Sequence, residues 1–545
     1  MASSSQARTP NLKGILSFLC TISVEKQLQC ICGTAALCGF LYGYSMAASA
    51  VMLTQETFVD HFCVGIFGTM EECYSTDLSE QPIKWIHYTT QVTAMLSLGT
   101  VVGALLSSWL ADTFGRRKAL LVGTLIYAIF TAWETAIYLK ISMLLARFLS
   151  GIGVGISVAV APIYIMELTP PHLRGKMCGM LPLSLCVGEL SAGIIGEWYE
   201  EQSNGWRYVV GFAALVAIIM MTGLLIFPES PRWLYAIEGK EECAKTLQIL
   251  RQREDVTSEV EAIAAQAAVE SQSSSKEPLV SSSLFGRKMR RRTIIACSLQ
   301  LVQQLSGIVL LLAYGTVVLE MVGVSRTLVV LTILFLMNGL GTLVALQQVD
   351  TSGRRKLLIQ GGIGTFLTNL GAAIALKIGR VEDLNSSDVS DDMKLALASV
   401  FLFFASMFML FFAASFGLVP WIYAAEIFPL KSRATAVGMA NVTHAIAFYL
   451  ATFFQNLINS TNLAFTYLFC AVCCLVSTVF IILYVPETAG KTMDEIDLAF
   501  KREAWHDDDW KWPCLLRMKS SSKTGEDEED MLLSKKGKKK TEFRV

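Results

Sequence analysis

Apolar residues run along this chain in long blocks, broken by short polar or charged segments. Residues 118–139, 206–227, 325–347 and 462–484 are the clearest such blocks. A run of roughly 20 apolar residues crosses a hydrocarbon core as a helix, which satisfies its own backbone there. About twelve runs meet that length. They are 28–53, 85–111, 118–139, 142–168, 174–200, 206–227, 292–320, 325–347, 355–378, 395–426, 432–457 and 462–484. The pattern predicts an all-α membrane protein of twelve transmembrane helices. Composition agrees: the 545 residues are 53% hydrophobic and 17% charged, against about 25% charge in a soluble chain.

Net charge is −1, which speaks against a nucleic-acid partner. The placement of charge says more. Arg116, Arg117 and Lys118 fall between the second and third runs, Arg174 and Lys176 between the fourth and fifth. Arg354, Arg355 and Lys356 fall between the eighth and ninth, Lys431 and Arg433 between the tenth and eleventh. Alternate loops are poor in Lys and Arg, so the positive-inside rule puts both termini in the cytosol. No cleavable signal peptide is expected, because the first apolar run is long enough to be a retained helix.

Most of the fourteen cysteines sit inside the runs, as small apolar packers. Cys63 and Cys73 instead fall in the loop 54–84, on the outside by this topology, where a disulfide and two free thiols are both open readings. The sequons at Asn385 and Asn459 also fall outside.

The chain repeats itself. "GRRKALL" at Gly115 returns as "GRRKLLI" at Gly353, and "ELTPPHLRG" at Glu167 as "EIFPLKSRA" at Glu426. "PESPRWL" at Pro228 returns as "PETAGKT" at Pro486. Matched pairs at similar offsets mean a duplicated six-helix unit. The domain reading is a cytosolic tail 1–27, a first half 28–227, a cytosolic helical linker 228–291, a second half 292–484 and a cytosolic tail 485–545. Two such repeats around a midplane site is the plan of a secondary transporter. The repeated charges Arg116, Arg117, Glu167, Arg174, Glu229, Arg354, Arg355, Glu426, Arg433 and Glu487 lie at cytosolic helix ends. They are read as salt-bridge ties that hold the cytosolic side shut in one state and release it in another.

Several motifs then resemble the sugar porters of the major facilitator superfamily. They are "RFLSGIGVGISVAVAPIYIMELTPPHLRG" (147–175), "PESPRWL" (228–234), "QQLSG" (303–307), "PWIYAAEIFP" (420–429) and "VPETAGKT" (485–492). The resemblance spans about residues 25 to 500. It implies that the glutamines of the seventh helix bond sugar hydroxyls near a helix interruption, here Gln303, Gln304 and Gly307. It also implies a sugar-contacting Asn338 and a flanking Trp421. The residues support this independently: a sugar in a dry site needs amides, which donate and accept, rather than fixed charges. Tyr314, about three turns beyond Gln303, is placed on the same face.

The departures matter as much. Val309 stands where the family has Asn, Leu312 and Ala313 where it has aromatics, and Pro182 where the fifth helix has a sugar-binding Gln. His444 and Ala445 replace an Asn and a Trp, and Leu418 a Pro. Each lost bond to a substrate hydroxyl costs about one to three kcal/mol. Two ionisable residues are new: Glu189, on one helix face with Pro182, and His444, readable as ligand, proton carrier or packing residue. Proton-coupled relatives carry an Asp in the first helix opposite the fourth-helix Arg, here Arg147; this chain has Ser45. Serine does not titrate near neutral pH, which favours a passive uniporter; Glu189 with His444 is the alternative switch.

The reading is a multi-pass carrier of a small polyhydroxylated solute, a hexose first, with the lipid bilayer as its setting. No catalytic constellation, cofactor or metal motif is expected. The tail holds an acidic run, 526–530, then Leu532-Leu533 and a lysine cluster, which resembles a signal for a trafficking adaptor. The expected site is the plasma membrane, with an endosomal or vacuolar membrane as the alternative. A carrier of another polar solute and a non-transporting nutrient sensor are the rival readings.

Overall fold

Each apolar run folds as one helix, and the charged segments set where it stops. The computed structural model describes residues 23–74, 81–170, 173, 177–276, 286–324, 326–378, 391–428, 430–454, 458, 462–491, 495–496 and 500. Arg174, the two sequons and the tail signals lie outside those residues, and for Arg433 the side chain does. The described residues form seventeen helices and no strand.

The first half holds α1 (Val24–Thr54), α2 (Glu56–Phe62), α3 (Met70–Cys73), α4 (Ile83–Phe114), α5 (Arg116–Glu134), α6 (Lys140–Leu168), α7 (Met180–Trp198) and α8 (Gly205–Ile226). Three shorter helices follow, α9 (Pro231–Ile237), α10 (Lys240–Arg251) and α11 (Thr257–Lys276). The second half opens with α12, in three pieces: Arg287–Gln303, a π turn Gln304–Ile308, and Val309–Met321. Then come α13 (Thr327–Ser352) and α14 (Arg354–Ile378). α15 is again interrupted, Asp391–Phe412, Ala413–Gly417 and Val419–Glu426. α16 (Leu430–Ala451) and α17 (Leu463–Tyr484) complete it.

Ten of the described helices are long and apolar enough to cross a membrane by length and composition alone. α5 falls short because Arg116, Arg117 and Lys118 open it and Glu134 closes it. In α16 the apolar part is the shorter Thr435–Ala451. With these two, the chain has the twelve-helix plan.

Burial is inverted relative to a soluble protein. Large apolar side chains face outward on the long helices; Leu225 is 55% exposed and Val476 62%. Buried Ser, Thr, Gln, Glu and Arg side chains lie inside, among the apolar core, as expected where lipid rather than water is the solvent. One end of the first half is capped by an aromatic cluster of Phe58, Phe62, Trp85 and Trp206, next to a Cys63–Cys73 disulfide. The open choice between disulfide and free thiols is thereby decided.

The two broken helices have different causes. In α12, Gly307 takes φ +99°, a left-handed conformation that a β-carbon disfavours. The break frees the Ser306 carbonyl, which accepts from Asn369 Nδ2 of α14 at 2.9 Å. In α15, Pro420 has no N–H for the carbonyl four residues earlier, so the ladder fails beside the Ala413–Gly417 turn.

Candidate substrate cavity and helix-end ties

Tyr42, Gly43 and Met46 of α1, and Pro182, Cys186 and Glu189 of α7, face Gln303, Gln304, Asn338, Trp421 and His444 of the second half. Between them lies a cavity of about 560 Å³ of non-atom space, mouth included. Contacts between the halves flank it on both sides. Thr316 Oγ1 donates to the Ala50 carbonyl at 3.2 Å on one side. On the other, Gly438 packs so close to Ser108 that a β-carbon there would stand 3.2 Å from its hydroxyl.

The amides of α12 converge on one imidazole. His444 Nδ1 lies 3.0 Å from Gln300 Oε1 and 3.2 Å from Gln303 Oε1. Both oxygens can only accept, so the network assigns the ring proton to Nδ1. Nε2 is then the acceptor, with the Tyr42 hydroxyl at 3.1 Å and Gln304 Nε2 at 3.3 Å, while Gln304 Nε2 also stands 3.1 Å from Nδ1. The Trp421 ring stacks at 5.0 Å, tilted. Adjacent amides on a regular helix would point about 100° apart; the π turn starting at Gln304 brings both to the same ring. Gln300, one turn earlier, belongs to this cluster. The sequence reading gave it no role, though its spacing of three and four from Gln303 and Gln304 marks the face.

A second polar pair closes the other side of the cavity. Asn338 Nδ2 donates to Glu189 Oε2 at 2.7 Å, and Cys186 Sγ lies 3.2 Å from Thr342 Oγ1. Glu189 is 1% exposed. Pro182 lines the cavity with Glu189, as their shared face implied.

Tyr314 does not line the cavity. Its hydroxyl donates to the Thr452 carbonyl at 2.9 Å, a link from α12 to α16. Counting three turns from Gln303 fails because the helix is kinked twice on the way, at Gly307 and at Tyr314 itself (φ −132°).

The repeated charges form two matching constellations. In the first half Arg116 Nε lies 3.1 Å from Glu167 Oε2, and the Ser230 hydroxyl donates to the same carboxylate. Glu229 accepts from the backbone N–H of Arg117 at 2.9 Å, and the Tyr164 hydroxyl donates to the Pro228 carbonyl at 2.6 Å. In the second half Arg354 Nη2 meets Glu426 Oε1 at 2.9 Å, and Thr488 Oγ1 donates to Glu426 Oε2 at 2.9 Å. Glu487 accepts from the N–H groups of Arg354 and Arg355 at 2.9 and 3.0 Å, and Tyr423 donates to the Pro486 carbonyl at 3.0 Å. Glu229 and Glu487 each sit on a helix N-terminus, where a negative charge contributes about 0.3–2 kcal/mol. Arg117 and Arg355 also reach backbone carbonyls, of Phe227 and Ile482. These ties run within a half.

Arg147 is 2% exposed in α6. It donates to Ser49 Oγ at 3.3 Å, and its Nε lies 3.5 Å from the Glu134 carboxylate of α5. Ser45 Oγ is 2.6 Å from the Tyr127 hydroxyl. The absence of an acid at Ser45 therefore does not leave Arg147 without a carboxylate. Glu134 lies inside the apolar run 118–139, and the sequence reading gave it no role.

Residues 31–500 match the profile of the family described as "Sugar (and other) transporter". The chain is 30% identical over 489 residues to the "Probable glucose transporter rco-3" of Neurospora crassa, covering 86% of this chain and 78% of that one. It is 29% identical over 478 residues to "Sugar transport protein MST7" of Oryza sativa subsp. japonica, covering 86% and 90%. Among solved structures it resembles the proton:xylose symporter XylE bound to 6-bromo-6-deoxy-D-glucose, with a TM-score of 0.71 at 23% identity, covering 87% of this chain and 99% of that one. The partially occluded inward-open form of XylE from E. coli superposes with a TM-score of 0.68, also at 23% identity. The chain is thus a multi-pass membrane protein with the major facilitator fold, and it belongs to the sugar porter family of sugar transporters.

Proposed function

We propose that this carrier moves a hexose, bound between its two halves, by alternating access. The observation that carries the reading is the convergence of the Gln303, Gln304 and Asn338 amides, the Tyr42 hydroxyl and the Trp421 ring on one enclosed cavity. Amides and hydroxyls match the mixed donors and acceptors of a sugar, and an indole face suits its apolar C–H side. The fungal relative is named as a probable glucose transporter, and the XylE structure holds a deoxyglucose, which accords with a hexose here. The matched ties would brace each half so that the halves move as bodies about the cavity. Lys- and Arg-rich loops favour cytosolic termini, and a plasma membrane is the expected site.

The test is uptake of radiolabelled glucose and fructose in transporter-deficient cells, normalised to surface protein. Gln303→Leu removes one amide from the cavity and is expected to raise the apparent KM about 5- to 150-fold, the worth of one hydrogen bond of roughly 1–3 kcal/mol. An unchanged KM would remove Gln303 from the site.

A second reading rests on the buried Glu189 at the cavity wall. A carboxylate there suits a solute that carries a positive charge. Competition of hexose uptake by polyols and by amino sugars separates the two: preference for the amine places Glu189 in recognition.

A further inference from the structure

Along one wall of the substrate cavity, α7 of the first half meets α13 of the second, with Gly193 packed against Thr332. The polar side chains of this wall are Cys186 and Glu189 of α7, and Asn338 and Thr342 of α13. All four are buried.

The bond between the acid and the amide has a sense. A carboxylate only accepts, so Asn338 has to offer it nitrogen, and Nδ2 lies 2.7 Å from Glu189 Oε2. A hydrogen bond to an ionised acceptor is about twice as strong as a neutral one. It fixes the flip of the amide and leaves Oδ1 on the side away from the acid. Oδ1 is buried and has no partner in the protein. The neighbouring donors are already committed. The Thr342 hydroxyl gives its proton to the Asn338 carbonyl at 3.1 Å. Cys186 Sγ, 3.2 Å from Thr342 Oγ1, then gives its own proton to that oxygen. A buried acceptor left unpaired is costly. At a cavity wall, whatever enters the cavity can satisfy it.

We infer that Glu189 is a positioning residue that makes Asn338 an acceptor, so that the carrier selects solutes presenting a hydroxyl or amine proton at that point. An amide free to turn would take either kind of group, including one that only accepts, such as a fluorine or an ether oxygen. With the acid behind it, such a group meets an oxygen and is rejected. The wall thus reads the direction of a hydrogen bond as well as its presence. Glu189 acts on the solute only through Asn338.

This selection rests on the hexose reading; one arm of its test does not. In purified protein, Asn338→Asp sets two carboxylates face to face and is expected to lower the melting temperature. Adding Glu189→Gln supplies an amide donor again, and the double variant is expected to recover most of that loss. An N338D protein that melts like wild type, or a double variant that melts no higher than N338D, overturns the pairing. In transporter-deficient cells, monodeoxy- and monofluoroglucoses compete with labelled glucose for uptake. At one ring position, both analogues are expected to compete about tenfold or more worse than glucose in wild type, because neither donates. In E189Q the new amide can itself turn, which lets Asn338 present Nδ2. The fluoro analogue at that position is then expected to gain about threefold or more on the deoxy one. Fluoro analogues that match glucose at every position in wild type, or an unchanged analogue ranking in E189Q, overturn the selection. A wild type that takes up no sugar, with the melting temperatures as expected, overturns the hexose reading and supports the sense of the pair.

Discussion

His444 is where single residues decide most. One imidazole bonds three glutamines and a tyrosine, and it fills the space they surround. A hydroxylated solute has to share or replace those bonds. Glu189 plays the corresponding part at the other wall, where it holds Asn338. Glu189→Gln keeps the shape and an acceptor for Asn338. A hexose carrier is expected to keep its KM within about threefold, because the lost charge is not what a neutral sugar needs; a carrier of cations loses uptake altogether. Uptake kinetics with a neutral and a charged solute read this directly. At this scale the sequence was informative where a polar residue interrupts an apolar run, as with Gln303, Gln304, Asn338 and Glu189. It was silent on Glu134, one acid inside a long apolar run, and on contacts between distant segments, such as Tyr42 with His444.

At the scale of elements, α12 is the helix that cannot be regular. Gly307 holds φ +99°, and a β-carbon there would stand 3.1 Å from Cys470 Sγ. Gly307→Ala therefore adds steric crowding to a left-handed backbone costing about 1–3 kcal/mol. Gly323 has a similar φ of +87° but open space around it. Gly323→Ala is expected to lower the melting temperature in detergent mildly and spare transport. Gly307→Ala is expected to lower it more and to abolish uptake, because a straightened α12 points Gln303 and Gln304 apart. Equal effects of the two changes would mean that the break serves folding alone. Helix positions were legible from length and charge, and the glycine after "QQLS" announced the break. What period counting could not carry was register beyond a kink, which is why Tyr314 falls on α16 instead of the cavity.

For the whole molecule, the duplicated motifs became duplicated geometry. Arg116–Glu167 with Ser230 and Arg354–Glu426 with Thr488 share no residue. Neutralising either acid loosens one half. Glu167→Gln and Glu426→Gln are each expected to lower the maximal uptake rate with little change in KM. The double variant is expected to match the sum of their activation free energies within about 0.5 kcal/mol. A large departure from additivity, measured on surface-normalised rates, would mean that the two ties sense each other across the cavity. Spacing in the sequence revealed the repeat, but it could not say which arginine each acid meets. Glu167 and Glu426 meet the arginines of the GRR segments, which lie far away in sequence and adjacent only once the helices pack.

The Tyr164–Pro228 and Tyr423–Pro486 bonds sew the end of each half to its own fourth helix. Every stitch of this hem lies before Lys276 or after Gly286. A gene broken between those points would still encode two products with finished edges, each lacking only the surface it buries against the other. Among the described residues these bonds leave the seam between the halves to other side chains, those that line the cavity.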